Sequence, residues 1–301
     1  MKKSNKTHVK TKISPFNLIL TILLVFYAFT ILFSIYFIVV SALKEPLDEF
    51  DKNFFGLPKG FYLQNILDIL DVPITVTDQK VNQDLTLHFV PDIFLNTILY
   101  SVGGAFFAAL IPCITAYFVA KFNYKFSKFL YGLTIVVIIV PIIGNLPATY
   151  KMLNTLNLYD SILGMYITKA NFVNMWFLVF YAAFKGVPND YMEAAYIDGA
   201  SEFRVMIQVI LPLVKNIFFT VVLIFFVDLW NDYTTPALFL PTYPTLAYMI
   251  NAFVTDSDYA ALSSIPMRMA SCAIMVIPTV IIFIIFKDKL MGNLTMGGIK
   301  G

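Results

Sequence analysis

The sequence predicts an all-α integral membrane protein with six transmembrane helices, cytoplasmic N and C termini, and a short extracellular loop domain between helices 1 and 2. Three observations carry that reading. The 301-residue chain is 59% hydrophobic, with a mean hydropathy of +0.76. Only 13% of its residues are charged, about half the share of a soluble domain. The apolar residues gather in six runs, and crossing a hydrocarbon core about 30 Å thick takes about 20 residues of helix. That composition excludes a water-soluble enzyme.

Residues 1–16 read as a cytoplasmic tail carrying Lys2, Lys3, Lys6, Lys10 and Lys12. The first run, Asn17–Ser41, follows this basic tail as a secretory signal would, and Val40-Ser41-Ala42 resembles a cleavage site. The run far exceeds a signal core of about 7–15 residues, so it reads as a retained anchor. The loop 44–92 is acidic and includes Asp68, Asp71, Asp78 and Asp84. Alternation in Ile74–Thr77 and Leu85–Val90 around a polar tip predicts a short β-hairpin there.

The second run is Ile93–Ala120, where Gly103-Gly104, Ala108 and Ala109 let helices approach closely. Phe129–Pro147, Tyr166–Phe184, Ile217–Leu240 and Pro266–Phe286 follow. A transmembrane domain over 17–287 then leaves a cytoplasmic tail at 288–301.

Charge sets the orientation. The segments assigned to the inside hold 14 basic residues against five acidic ones, and the rest of the chain holds seven against 14. The positive-inside rule therefore puts both ends in the cytoplasm. Cys113 and Cys272 lie in apolar runs without metal-ligand spacing and read as reduced packing residues. The sequence offers no metal site, and with His8 and His88 both in polar flanks, no histidine-centred catalytic site.

The cytoplasmic loop 185–216 is the most informative segment. Pro188 and Asn189 close the fourth run, and Asp190 with Glu193 has the spacing of a capping box. Ala194 and Ala195 favour helix. Gly199 suits the left-handed residue after a helix end, and Ser201 can cap a second helix toward Leu211-Pro212. A short helix, a glycine turn and a second helix follow, either resting on lipid headgroups or docking a cytoplasmic partner.

Glu193-Ala194-Ala195, Gly199 and Val209-x-Leu211-Pro212 resemble the "EAA" signature of bacterial ABC-importer permeases, with Val209 in place of the usual Ile. Nearly the whole chain is similar to the carbohydrate-uptake, maltose-type branch, and to its second permease subunit. Pro58-x-x-Phe61-x-x-x-Asn65, Asn96-Thr97, Ala116-Tyr117, Trp230-Asn231-Asp232 and the ending Leu294-Thr295-Met296-Gly297-Gly298-Ile299-Lys300-Gly301 carry the likeness. Asn216 stands where the family often has a further proline.

The resemblance implies a non-catalytic subunit of an ATP-driven importer. Its partners would be a second homologous permease (a heterodimer), two ATPase subunits that bind ATP and Mg, an extracellular solute-binding protein and a sugar. No nucleic acid and no cofactor on this chain are implied, and the sequence has no phosphate-binding loop of its own. Glu193, Ala194, Ala195, Asp198, Gly199, Leu211 and Pro212 would form the ATPase-coupling element. Gly297, Gly298, Lys300 and Gly301 would reach the ATPase.

Polar groups inside spans are expensive and usually face protein or water. Asp228 and Asp232 share one helical face, with Trp230 and Asn231 beside them, and mark a possible substrate path. Asn96, Thr115, Asn145 and Asn174 are further candidates from other runs. The competing readings are a permease of the same superfamily for a polyol, sugar phosphate or peptide, and an autonomous secondary carrier.

Overall fold

The computed structural model describes residues 14–46, 50, 52–72, 74–78, 83–140, 144–255 and 264–294. Helices dominate. Among the described residues, four are long and apolar enough to cross a membrane: Pro15–Ala42, Val90–Lys121, Glu202–Trp230 and Ile265–Phe286, the last continuing to Leu294. We call them the first, central, carboxylate and last helices.

Two of the six predicted runs take other shapes. Within Phe129–Pro147 the helix spans Lys125–Ile139, about 22 Å at 1.5 Å per residue. Tyr166–Phe184 divides into Ile162–Lys169 and Met175–Gly186. The divider is Asn174, whose side chain accepts from the N–H groups of Trp176 (2.9 Å) and Phe177 (3.2 Å) and so starts a new helix.

The fifth run differs in the opposite sense. Its helix begins at Glu202 rather than near Ile217 and passes through Pro212 without a break. A π-helical stretch, Val205–Ile210, ends two residues before the proline. That wider turn accommodates a residue with no N–H to donate and a ring that crowds the preceding carbonyls. The helix stops at Trp230, ten residues short of the expected end, and a short helix follows at Thr234–Phe239.

The predicted hairpin is present, with Ile74–Asp78 pairing antiparallel to Gln83–His88. Below it, the chain closes the end of the first helix. Asn65 of the Pro58-Phe61-Asn65 pattern is buried, and its amide donates to the carbonyls of Ala42 (2.9 Å) and Lys44 (2.8 Å). The Ala42 carbonyl is among the orphans of the helix C-terminus, and Lys44 lies just past the C-cap Leu43. Lys44, placed by the sequence in a solvated loop, is fully buried and donates to the carbonyls of Asn53 (2.6 Å) and Phe54 (3.0 Å).

The central helix is the hub, packing most heavily on Met175–Gly186 and the carboxylate helix. Its small residues permit this: a Cβ on Gly104 would meet the Leu229 side chain, and one on Gly103 would run into the Tyr166 ring. The Tyr166 hydroxyl in turn donates to Leu99 O (2.6 Å) within a π-helical turn, Leu99–Gly103. Half of the central helix's most apolar stretch is buried, against none of the first helix's. The first helix therefore offers its side chains to whatever surrounds the bundle.

Buried residues form two clusters along the bundle. One, below the β-hairpin, includes Ala42, Ile69, Ile93, Tyr100 and Trp230. The other, at the opposite end, includes Tyr117, Phe184, Met192, Val205 and Met206.

Candidate functional site

Two places bring the predicted site residues together. One is the helical hairpin at the end of the central helix; the other is a cavity between helices.

The hairpin begins with the helix Asp190–Ile197. Its cap is Asn189 rather than Asp190, and the predicted capping box is not formed. The Asn189 carbonyl accepts from Met192 (2.8 Å) and Glu193 (3.1 Å), while its side chain makes no capping bond. That side chain is engaged elsewhere. Lys121, the last residue of the central helix, donates to Asn189 Oδ1 (3.2 Å) and to the Val187 carbonyl (2.6 Å). Asp190 and Glu193 sit in the first turn, where the helix dipole favours negative charge.

The helix ends on Gly199, whose φ is +78°. The Gly199 N–H donates to Tyr196 O and the Ala200 N–H to Ala195 O, both at 3.0 Å. Those two bonds are the Schellman arrangement, which requires a left-handed residue at this position. Ser201 precedes the next helix without a side-chain capping bond.

One face of the hairpin is anchored and the other is free. Met192 is buried among Tyr117, Ala120, Phe184, Val205 and Met206, at the ends of three helices. Away from that contact, Ile197 is 86% exposed, and Tyr191, Tyr196 and Phe203 are exposed with it. Partial desolvation of its hydroxyl, then Glu202 and Tyr124, raise Tyr196 above its ordinary range, so it stays neutral. Glu193, Ala194, Asp198 and Gly199 are also exposed, whereas Ala195 packs against the core. Leu211 and Pro212 stand apart from this hairpin. They line an apolar groove within the bundle, with Phe106, Leu110, Phe218 and Phe219.

The cavity has a volume of about 360 Å³. It lies where three helices change course: the carboxylate helix at its end, Ile162–Lys169 at its end, and Met175–Gly186 at its start. Its polar lining is Thr168, Lys169, Asn171, Asn174, Asp228 and Asp232, with Phe225 and Leu229 as apolar walls. Asp232 is the knot. It accepts from the Tyr100 hydroxyl (2.8 Å) and the Thr235 N–H (3.0 Å), and pairs with Lys169 at 3.6 Å.

The four path candidates therefore separate. Asp228 and Asp232 both line the cavity, but the helix ends between them at Trp230, so they do not share one helical face as their spacing predicts. Asn231 turns back, its amide donating to Val227 O at 2.8 Å. Trp230 is 2% exposed and belongs to the core, its indole N–H donating to Met275 O (3.2 Å) and its ring packed on Phe226 and Phe94. Of the other polar candidates only Asn174 borders the cavity. Asn96 donates to Pro244 O, Thr115 to Ile111 O, and Asn145 precedes the helix Leu146–Thr155. Gly297, Gly298, Lys300 and Gly301 lie outside the described residues.

Lys121, Lys169, Tyr100 and Met192 carry these sites, and sequence reading assigned none of them a role. Tyr100 and Asp232 are 132 residues apart, and Lys121 and Val187 are 66 apart. The available signal was the rule that an ionisable residue at the edge of an apolar run needs a named partner.

A bundle of membrane-length helices enclosing a polar cavity, with an anchored hairpin at one end, is the plan of a membrane transport protein. Residues 105–291, more than half of the chain, match the family of binding-protein-dependent transport system inner membrane components, and the chain belongs to it. It is similar to the probable starch degradation products transport system permease protein AmyC of Thermoanaerobacterium thermosulfurigenes, 26% identical over 88% of this chain and 90% of that one. The trehalose/maltose transport system permease protein MalG of Thermococcus litoralis is 27% identical, over 89% of this chain and 90% of its own. The fold of the present chain is shared with a chain of a bacterial ABC transporter involved in importing the acidic polysaccharide alginate. The TM-score is 0.72 at 21% identity, covering 91% of this chain and 95% of that one.

Proposed function

We propose that this chain is one of two homologous membrane-spanning subunits of an ATP-driven importer, and that its substrate is a sugar or oligosaccharide delivered by an extracellular solute-binding protein. The carbohydrate assignment rests on the relatives, named for starch degradation products, trehalose/maltose and diacetylchitobiose. In this reading the chain crosses the cytoplasmic membrane six times, with both termini inside and the β-hairpin loop outside. The shorter helices at Lys125–Ile139 and Ile162–Gly186 supply the two crossings beyond the four long ones.

The anchored hairpin carries the proposal. Two copies of a separate ATPase supply the chemistry with ATP and Mg, and this chain binds no cofactor. The free face of the hairpin, led by Ile197 and Tyr191, docks in a cleft of the ATPase, with Glu193, Ala194, Ala195, Asp198 and Gly199 shaping it. The Gly297–Gly301 tail makes a further ATPase contact. When the ATPase dimer closes, two links take the motion into the bundle: Lys121 passes it to the central helix and Met192 to the carboxylate helix. Those helices border the cavity through which the sugar moves.

Purification of the tagged chain from its native membranes in mild detergent, with mass spectrometry of stoichiometric partners, tests this. The expected result is an ATPase, a second homologous permease and a solute-binding protein whose ligand is a carbohydrate. A chain recovered alone, or only with copies of itself, overturns the importer reading.

A further inference from the structure

The two carboxylates of the cavity lie four residues apart, Asp228 in the last turn of the carboxylate helix and Asp232 just past its end at Trp230, yet their circumstances are opposite. Asp232 is held by Tyr100, Thr235 and Lys169. Asp228 is exposed, and among the described residues it makes no hydrogen bond or ion pair. On its other side it borders an apolar groove lined by Leu223, Ile224, Ile282 and Phe283. A carboxylate within an apolar helix is costly unless it faces water or a polar group. The cavity is where it can do so.

The charge count then matters. Lys169 is matched by Asp232, so the lining keeps one uncompensated negative charge, that of Asp228. The remaining polar groups are partly engaged within the chain. Thr168 donates to Met165 O (2.7 Å) and Asn174 to Asn171 O (2.7 Å), while Asn174 Oδ1 caps its helix. Asp228 keeps its acceptor capacity free, with the apolar ring of Phe225 about one turn away on its own helix. Charge of one sign in a cleft with low-dielectric walls focuses the field and concentrates counter-charge.

We infer that Asp228 makes this cavity an electrostatic filter. It admits neutral polyhydroxylated or cationic solutes, whose O–H or N–H groups donate to the carboxylate, and it turns away anionic ones such as uronates and sugar phosphates. The inference deepens the transport reading above and rests on it.

The test measures the cavity's potential directly, in open membrane fragments holding the full chain. Cys113 and Cys272 are replaced by alanine and Thr168→Cys serves as the reporter; Asn171→Cys is a second reporter should the first variant fail to accumulate. Each is treated with a cationic and an anionic methanethiosulfonate of similar size, and their rates are normalised to a small free thiol. The cationic reagent should react about tenfold faster, and Asp228→Asn should cut that preference at least about fivefold. An unchanged preference in Asp228→Asn, as would follow if this carboxylate pairs with a partner subunit, overturns the inference. So does a cavity in which neither reporter reacts. The rates need no ATP, binding protein or sugar. A charge preference in a chain that purifies without partners would thus sink the importer reading and leave the filter standing.

Discussion

The helical hairpin and the cavity sit along the same bundle but are built by different means. The hairpin is shaped by neighbours in sequence: Asn189 caps its helix, Gly199 ends it, and every turn bond spans five residues or fewer. The cavity is assembled across the chain, through Tyr100 on one helix, Lys169 on another and Asp232 at the end of a third. The hairpin can therefore hold its shape while the helices beneath it move. The cavity has its geometry only while those helices are in register, so a change of helix packing alters it directly. That is the division a coupled transporter needs, with a firm part to be pushed and an adjustable part to respond.

The largest expected effect lies at the knot. Asp232→Ala leaves the Lys169 ammonium without its partner and removes the acceptor for Tyr100 and Thr235. Removing one member of such a pair costs roughly 3 kcal/mol. The variant should show a clearly lower thermal transition in detergent and reduced membrane levels. Tyr100→Phe, which deletes one hydrogen bond, should cost about 1–2 kcal/mol. Equal losses in the two variants would show that Asp232 is not the centre of the network.

Gly199→Val comes next and strikes the hairpin instead. No atom stands within 4 Å of a Cβ built at this position, so the penalty is conformational. A φ of +78° costs an ordinary L-residue about 1–2 kcal/mol, and a β-branched one more. ATP hydrolysis should persist while uptake falls several-fold, with membrane insertion intact. Gly199→Asn, which tolerates the left-handed region, should recover most of the uptake. Normal transport by the valine variant would remove the hairpin from the coupling path.

The same contrast explains what could be read from the sequence. The Gly199 turn and the alternation of Ile74–Thr77 were legible because glycine chemistry and period-two patterning act over a few residues. The cap was misplaced by one position because Asp190 and Asn189 are equivalent by type. What distinguishes them is Lys121, far away in sequence, engaging the Asn189 side chain. The carboxylate pair was legible from its spacing of four, but its asymmetry was not, since that depends on Tyr100 and Lys169 arriving from other helices. Trp230 was drawn toward the path by its neighbours in sequence, although its own side chain turns into the core. The six apolar runs located the bundle, and Asn174 and the π-helical turns before Pro212 and at Leu99 changed where helices start, stop and continue.

Lys121→Met should have a smaller effect than the glycine change. It removes the bond to Val187 O and the one to Asn189, worth about 1 kcal/mol together because the site is partly solvated. The hairpin keeps its shape through Gly199 and its anchor through Met192. The expected outcome is therefore a lower ratio of solute moved to ATP hydrolysed, with little change in stability. An unaltered ratio would leave Met192 as the only mechanical link and predict that Met192→Ala alone uncouples the transporter.

The smallest stability effect belongs to the residue with the clearest proposed role. Asp228 is exposed and unpaired among the described residues, so Asp228→Asn removes no internal interaction and should change stability by less than about 0.5 kcal/mol. The same isosteric change at Asp232 weakens an ion pair and should be plainly destabilising. Measured side by side, the two substitutions compare carboxylates of identical chemistry four residues apart, one in the last turn of the helix and one just past its end, that differ in what surrounds them. A stable Asp228→Asn together with a weakened Asp232→Asn assigns the structural duty to Asp232. If Asp228→Asn is the more damaging of the two, its carboxylate is engaged by a neighbouring subunit, and this part of the cavity wall is an interface.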